Sequence, residues 1–266
     1  MYERLNEHED PDVRFVAAGR LLELLDEQGE TAAFYSVAEQ RAGDDGVFGS
    51  LLGLLQEERG DTEASLRTLR AAAAGGEPTA LTVLAQALAG DGQVEEARQV
   101  YEQVLEAGDA DLAARAMVGL GNTFHEEDGL RARVWYLRAV TAAEGHVAAV
   151  AAMHLGALAK GERDFPEALG WYQRVIDAGD PESAMAAAHL GELCYWLGDR
   201  DGALRFYELT LNLTGRPELV AEAACRLGEI RYEHGDLPAA RHLLEQAVAT
   251  GDDLYAAEAE ALLTKL

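Results

Sequence analysis

The 266-residue chain predicts an all-α protein: a solenoid of about seven antiparallel helix pairs closed by a carboxy-terminal capping helix. Three observations predict it. Apolar residues recur at helical spacing rather than in strand alternation. A leucine followed by a small residue returns six times at a near-constant interval. All six prolines (Pro11, Pro78, Pro166, Pro181, Pro217 and Pro238) fall where a helix would begin, as suits a residue with fixed φ and no N–H. Such a pair cannot bury its apolar stripes alone, so it needs copies of itself as neighbours.

The elements follow in order. Met1–Asp10 is a polar lead-in, and residues 12–43 form an irregular first pair: Val13–Asp26 with Phe15, Leu21 and Leu25, then Thr31–Ala42. Residues 47–250 carry six repeats. Their register is fixed by Leu52-Gly53, Leu84-Ala85, Leu120-Gly121, Leu155-Gly156, Leu190-Gly191 and Leu227-Gly228, spaced by 32, 36, 35, 35 and 37 residues. Seven residues after the small member stands a turn glycine in four copies: Gly60, Gly92, Gly198 and Gly235. Asp128 and Arg163 replace it in the other two, where Gly129 and Gly161 suggest slid turns. Twelve residues after it stands Ala97, Ala168, Ala203 or Ala240, while Ala64 and Ala132 come one residue early and imply a turn shortened by one. Four residues further packs Tyr101, Tyr136, Tyr172, Tyr207 or Leu244, with Thr68 the exception. Small residues on both helices let the backbones approach, and the bulky ones fill the groove between pairs.

The unit 186–217 shows the pattern best: Leu190, Leu193 and Leu197 make one stripe, Gly198-Asp199 the turn, and Ala203, Leu204, Tyr207 and Leu211 the second stripe. Asp252–Leu266 reads as the capping helix, with Tyr255, Leu262, Leu263 and Leu266 to cover the exposed end. The chain reads as a single solenoid over 1–266, without a linker.

Composition narrows function. Against 48 acidic residues stand 22 basic ones, a net charge of −26. No basic run exceeds Arg131-Ala132-Arg133, so nucleic acid and anionic membrane surfaces are excluded as partners. A basic or amphipathic protein segment is compatible, and the acids also cap helices and solubilise an alanine-rich surface. The amino terminus has no apolar core of a signal peptide, no run reaches membrane-spanning length, and Cys194 and Cys225 are too few for a disulfide scaffold. The expectation is a cytoplasmic protein with buried, reduced cysteines, neighbours across adjacent first helices.

No catalytic or metal constellation emerges. The seven histidines form no HExxH motif, and His154 and His189, which could approach one another, lack the third ligand that zinc requires. Neither a GxxxxGK[ST] phosphate loop nor a nucleophile elbow is present, so the chain reads as non-enzymatic, with no cofactor and no metal.

Leu190-Gly191, Gly198, Ala203 and Tyr207, and again Leu227-Gly228, Gly235 and Ala240, resemble the tetratricopeptide repeat family. Ala168-Leu169-Gly170-Trp171-Tyr172 followed by Ala178-Gly179-Asp180 is also similar to the Sel1-like repeat. The resemblance implies a right-handed α-solenoid whose first helices line a concave groove, and a protein–protein interaction module, scaffold or adaptor. Carried over by position, the groove takes Asn122, His125, Glu126, Met153, Lys160, Glu192, Tyr195, Trp196, Glu229, Tyr232 and Glu233, with Val118, Ala157 and Ala188 beside them. Tyr195 and Trp196 either anchor a partner or pack between adjacent first helices. Only Asn122 and Lys160 suit a clamp for a peptide carboxylate, which argues against that partner class. The implied partner is a basic or amphipathic peptide held by aromatics and glutamates. The alternative is a structural solenoid that acts by homo-oligomerisation.

Overall fold

The computed structural model describes residues 46–266, together with Arg20, Tyr35, Ser36, Ala38, Glu39, Gln40 and Ala42. The expected pair within 12–43 lies outside the described residues, apart from those few. Thirteen helices make up the described chain: α1 Gly46–Glu58, α2 Thr62–Ala73, α3 Pro78–Gly90, α4 Val94–Ala107, α5 Ala110–Phe124, α6 Gly129–Ala142, α7 Gly145–Gly161, α8 Phe165–Asp177, α9 Ser183–Trp196, α10 Arg200–Leu213, α11 Pro217–Glu233, α12 Leu237–Ala249 and α13 Tyr255–Leu263. No strand occurs among the described residues. The fold is the all-α solenoid that the repeat pattern predicts. The chain divides into two compact units, residues 1–139 and 140–266, with the division inside α6.

Five of the six turns share one backbone closure, and four of those five add an aspartate cap, Gln93 between α3 and α4 making no such bond. In the α9–α10 turn, Gly198 takes φ +79° and the Asp199 amide donates back to the Cys194 carbonyl at 2.8 Å. A left-handed residue at this place closes the first helix. Asp199 then caps α10 by accepting from the Gly202 amide, which satisfies a donor the helix itself cannot pair. Arg163 holds the same place between α7 and α8 with φ 64°, the one non-glycine residue at positive φ among those described. The turn there is therefore in register, and Gly161 is the last residue of α7 rather than a slid turn glycine. The α5–α6 turn is the short one. Asp128 donates from its amide to the Phe124 carbonyl at 2.7 Å and itself caps α6, with Gly129 simply the first helical residue.

The first repeat corrects the sequence register. Its turn has full length, with Gly60 at φ +79° and Asp61 as the cap. Four residues after the cap lies buried Ser65, not Ala64, and four further lies buried Leu69, not Thr68. A Cβ built on Gly53 would meet Leu69 at 2.5 Å, so Leu69 fills the role given elsewhere to tyrosine. Tyr136, Tyr172 and Tyr207 press in the same way on Gly121, Gly156 and Gly191, and Leu244 on Gly228. Where Ala85 replaces the glycine, the ring goes elsewhere: Tyr101 lies against Gly119 of the following first helix, in contact through its Cζ, Cε1 and hydroxyl. A glycine lost in one repeat is thus matched by one gained in the next.

Buried leucines, alanines and Tyr101 make one core cluster in the first unit, from Leu66 to Leu120, with Trp135 packed on it. In the second unit Ala224, Cys225, Leu244, Ala247 and Ala259 form a cluster that Tyr255, Leu262, Leu263 and Leu266 cover. Leu197 departs from the expected stripe: it follows the end of α9 as its C-cap and is half exposed. Cys194 and Cys225 are buried and free. Cys194 lies where a Cβ on Gly202 would meet its sulfur at 2.9 Å, whereas Cys225 packs with Leu244 and Ala259.

Candidate functional site

The second unit carries most of the predicted face, on the first helices α7, α9 and α11. Two contacts repeat the same geometry one repeat apart. Lys160, four residues past its small residue, donates to Glu192, one past the next small residue, at 2.7 Å. Tyr195 stands where Lys160 does and donates its hydroxyl to Glu229 at 2.9 Å. The Tyr195 ring is therefore tied to the next first helix, and Arg200 and Arg226 lie over it at 4.2 and 5.5 Å, within cation–π reach. Arg226 bonds to Glu229 at 3.2 Å and to Glu258 of α13 at 2.7 Å, and Arg200 bonds to Glu233 at 3.2 Å. Trp196 is different. It is 59% exposed, with the Lys160 ammonium 5.4 Å from its ring centre. Tyr232 and Glu233 are exposed and Met153 half-buried, while Ala188 is buried against Leu219.

Electrostatics follow from this pairing. Burial pushes the Glu192 carboxyl up, but the His189 ring 3.6 Å away and the hydrogen bond from Lys160 more than reverse this and hold it below the usual carboxylate range. Glu222 goes the other way: burial raises it, and the charge on Glu192 adds to the rise. Burial raises the Tyr195 phenol, and the Glu229 carboxylate that accepts from it raises it further.

In the first unit the Tyr136 hydroxyl donates to the Asn122 carbonyl oxygen at 2.8 Å and lies 3.4 Å from His125 Nδ1. Glu126 is exposed. With Asn122 accepting from Tyr136 and Lys160 bound to Glu192, neither side chain named for a carboxylate clamp stands apart from its neighbours.

Sequence reasoning missed Glu222, Arg226 and Glu258. The first two lie six and two residues before Gly228, whereas the positions carried over to α11 begin at Glu229. The signal was present: Gly119, His154, His189 and Arg226 all stand two residues before the small member. In two repeats this position faces the preceding tyrosine, as Gly119 meets Tyr101 and the His189 ring stacks 5.0 Å from Tyr172. Among the described residues no group of three or more His, Cys, Asp or Glu side chains is arranged to hold a metal. No helix of the described residues is long and apolar enough to cross a membrane.

The sequence matches the family described as tetratricopeptide repeat over residues 50–111, 82–147 and 153–217. No curated protein matches the chain in sequence. Among solved structures, the PilF protein of Pseudomonas aeruginosa is similar with a TM-score of 0.62 at 18% identity, covering 84% of this chain and 98% of that one. A tetratricopeptide repeat protein from Parabacteroides merdae gives 0.58 at 16% identity over 99% and 97% of the two chains. A chain of the Cut9–Hcn1 hetero-tetramer of the APC/C gives 0.59 at 17% identity; 96% of this chain spans 52% of that one, about half its length. At these identities the likeness is one of fold.

Proposed function

Because the chain belongs to the tetratricopeptide repeat family, a scaffold for protein–protein interaction, we propose that it holds a basic or amphipathic peptide segment on the first-helix face of its second unit. The observation that carries this is Trp196: a 59% exposed indole with the Lys160 ammonium 5.4 Å from its ring centre, one turn after Glu192 on the same helix. Leaving a large aromatic in water costs free energy that burial under a partner recovers. Tyr232, with Glu229 and Glu233 beside it, extends the surface from α11. Lys160 and Tyr195 position Trp196 and Glu229 rather than reach the partner alone. Asn122, His125 and Glu126 offer a polar surface of their own in the first unit. The reading is of a binding protein rather than an enzyme. It is tested by affinity for a captured partner segment: Trp196→Ala with Glu233→Lys should weaken it by ~2 kcal/mol or more, as loss of an aromatic anchor does. Unchanged affinity would refute the face assignment.

A second reading, self-association, has its own support. Leu130, Val134 and Leu137 of α6 are 74, 55 and 40% exposed, and their spacing of four and three puts them on one side of the helix. Leu130→Glu with Val134→Glu should turn any dimer seen by sedimentation into monomer. A chain that is monomeric at all concentrations rules this reading out.

A further inference from the structure

The basic run Arg131-Ala132-Arg133 lies on α6, and Arg138 follows one turn later. Among the described helices α6 alone carries three arginines, and its fourteen residues include no aspartate or glutamate. That is an exception in a chain whose net charge is −26. The nearest acids precede the helix, where Asp128 pairs with Arg131 and Glu127 with Arg98.

The exposed side of the same helix has a second, independent pattern. Ala132, Tyr136 and Ala139 are completely buried and fix which side of α6 faces the core. Opposite them Leu130, Val134 and Leu137, exposed to water, advance by four and then three residues. That is the step of alternating d and a positions in a coiled-coil seam, and valine at a with leucine at d suits one partner helix. In this register Arg131 and Arg138 take successive e positions on one flank, and half-buried Arg133 takes the g position on the other. The bond from Arg131 to Asp128 joins two surface groups three residues apart, at 3.2 Å with the arginine 67% exposed. Such a pair is weak and is readily exchanged for a better one. Arg138 is exposed, with its guanidinium 4.3 Å from the centre of the Trp135 ring, and Trp135 packs on the core cluster of the first unit. A fixed ring thus holds this cation beside the seam.

We propose that this side of α6 docks an acidic amphipathic helix of a partner protein. Its apolar residues cover Leu130, Val134 and Leu137, and its carboxylates meet Arg131 and Arg138. Charges flanking a seam decide which helix is accepted. A second copy pairing through the same helix, the self-association reading above, fits worse. Parallel helices bring e against g and antiparallel ones bring like positions together, so either orientation sets arginine against arginine. Phosphates of a nucleic acid would match the arginines but leave the apolar seam in water. The inference goes beyond the α9 and α11 face: it gives the chain another docking surface, on the second helix of a repeat and with the opposite charge preference.

The test uses the full chain and a labelled synthetic helix of about three heptads, with valine at a, leucine at d and glutamate at e and g. Fluorescence anisotropy reads its binding. The wild type should bind it, and the same peptide with glutamine at e and g should bind roughly tenfold or more weakly. Arg131→Glu with Arg138→Glu should weaken the glutamate peptide at least as much while melting like the wild type, since both side chains are exposed. Arg131→Gln with Arg138→Gln repeats the measurement should the charge reversal unfold the chain. Leu130→Ala with Val134→Ala should weaken both peptides, and Trp196→Ala neither. Failure of the glutamate peptide to bind, equal binding of the two peptides, or undiminished binding by the arginine variants overturns the proposal. Loss of binding in Trp196→Ala overturns it too, by moving the peptide to the α9 and α11 face. So does a dimer that Leu130→Glu with Val134→Glu dissociates, which gives the seam to a second copy, or displacement of the peptide by a duplex oligonucleotide.

Discussion

Gly191→Ala should destabilise the protein by up to ~2 kcal/mol, although alanine is the better helix former. Two opposing terms set the sign. In the interior of α9 alanine gains ~1 kcal/mol over glycine through chain entropy. Against this, the new Cβ would lie 2.8 Å from Cδ1 and Cε1 and 2.9 Å from Cγ of Tyr207. That ring is almost fully buried and has nowhere to retreat, and overpacking of this kind costs ~1–3 kcal/mol. Gly170→Ala is the internal control: Gly170 lies inside α8, exposed, with nothing within 4 Å of its added Cβ. There only the favourable term remains, and stability should rise by ~0.5–1 kcal/mol. Urea denaturation followed by circular dichroism measures both. Repeating Gly191→Ala in a Tyr207→Ala background should abolish its cost, since the coupling runs through one contact. Two equal, stabilising glycine substitutions, or a penalty that survives removal of the ring, would refute the close-approach argument.

Further tests address the turns and the charges. Arg98, in α4, donates to the Thr123 carbonyl at 2.6 Å and to Glu127 at 2.7 Å, and its guanidinium stacks 3.7 Å from the Phe124 ring; Arg98→Ala should cost ~2–4 kcal/mol in thermal unfolding, and lysine should not restore it. Arg163→Gly should raise the melting temperature, because the left-handed conformation costs an L-residue ~1 kcal/mol that glycine avoids. Glu222 has a raised folded-state pKa, so its stability contribution is complete below the unfolded value and is lost as pH rises through the folded one. Glu222→Gln should therefore melt higher than the wild type at neutral pH, and the advantage should shrink as pH falls toward the ordinary carboxylate range. Cys225, whose thiol burial pushes up to about 12, should resist alkylation in the native protein and react only once it unfolds.

The solenoid was legible because its cause is local. Each Leu-small pair, turn glycine and cap lies within a dozen residues, and repetition averages out the irregular copies. Failures came where identity stood in for position. Ala64 looked like the packed alanine, yet the distance from the cap Asp61 selects Ser65 and then Leu69. Leu197 matched the leucine stripe but lies just past the last turn of α9. Arg163 stands by count at the turn position, but the nearby Gly161 drew the turn to itself, although the backbone keeps the positive φ at Arg163. For the face, positional transfer found Lys160, Glu192, Tyr195 and Glu229 but not that they bond to one another, because the partners stand 32 and 34 residues apart.

The seat of Tyr101 against Gly119 bears on how such chains can be recombined. A repeat that carries its own glycine beneath its own ring is a self-contained cassette that can be duplicated, deleted or grafted. The copy built on Ala85 is not: its ring is housed by the copy that follows. Excising α5 would leave that tyrosine without a socket, and inserting a foreign repeat after α4 would need a glycine two residues before its small member. These two copies must be inherited together, so the exchangeable block in this stretch of the chain is two repeats long.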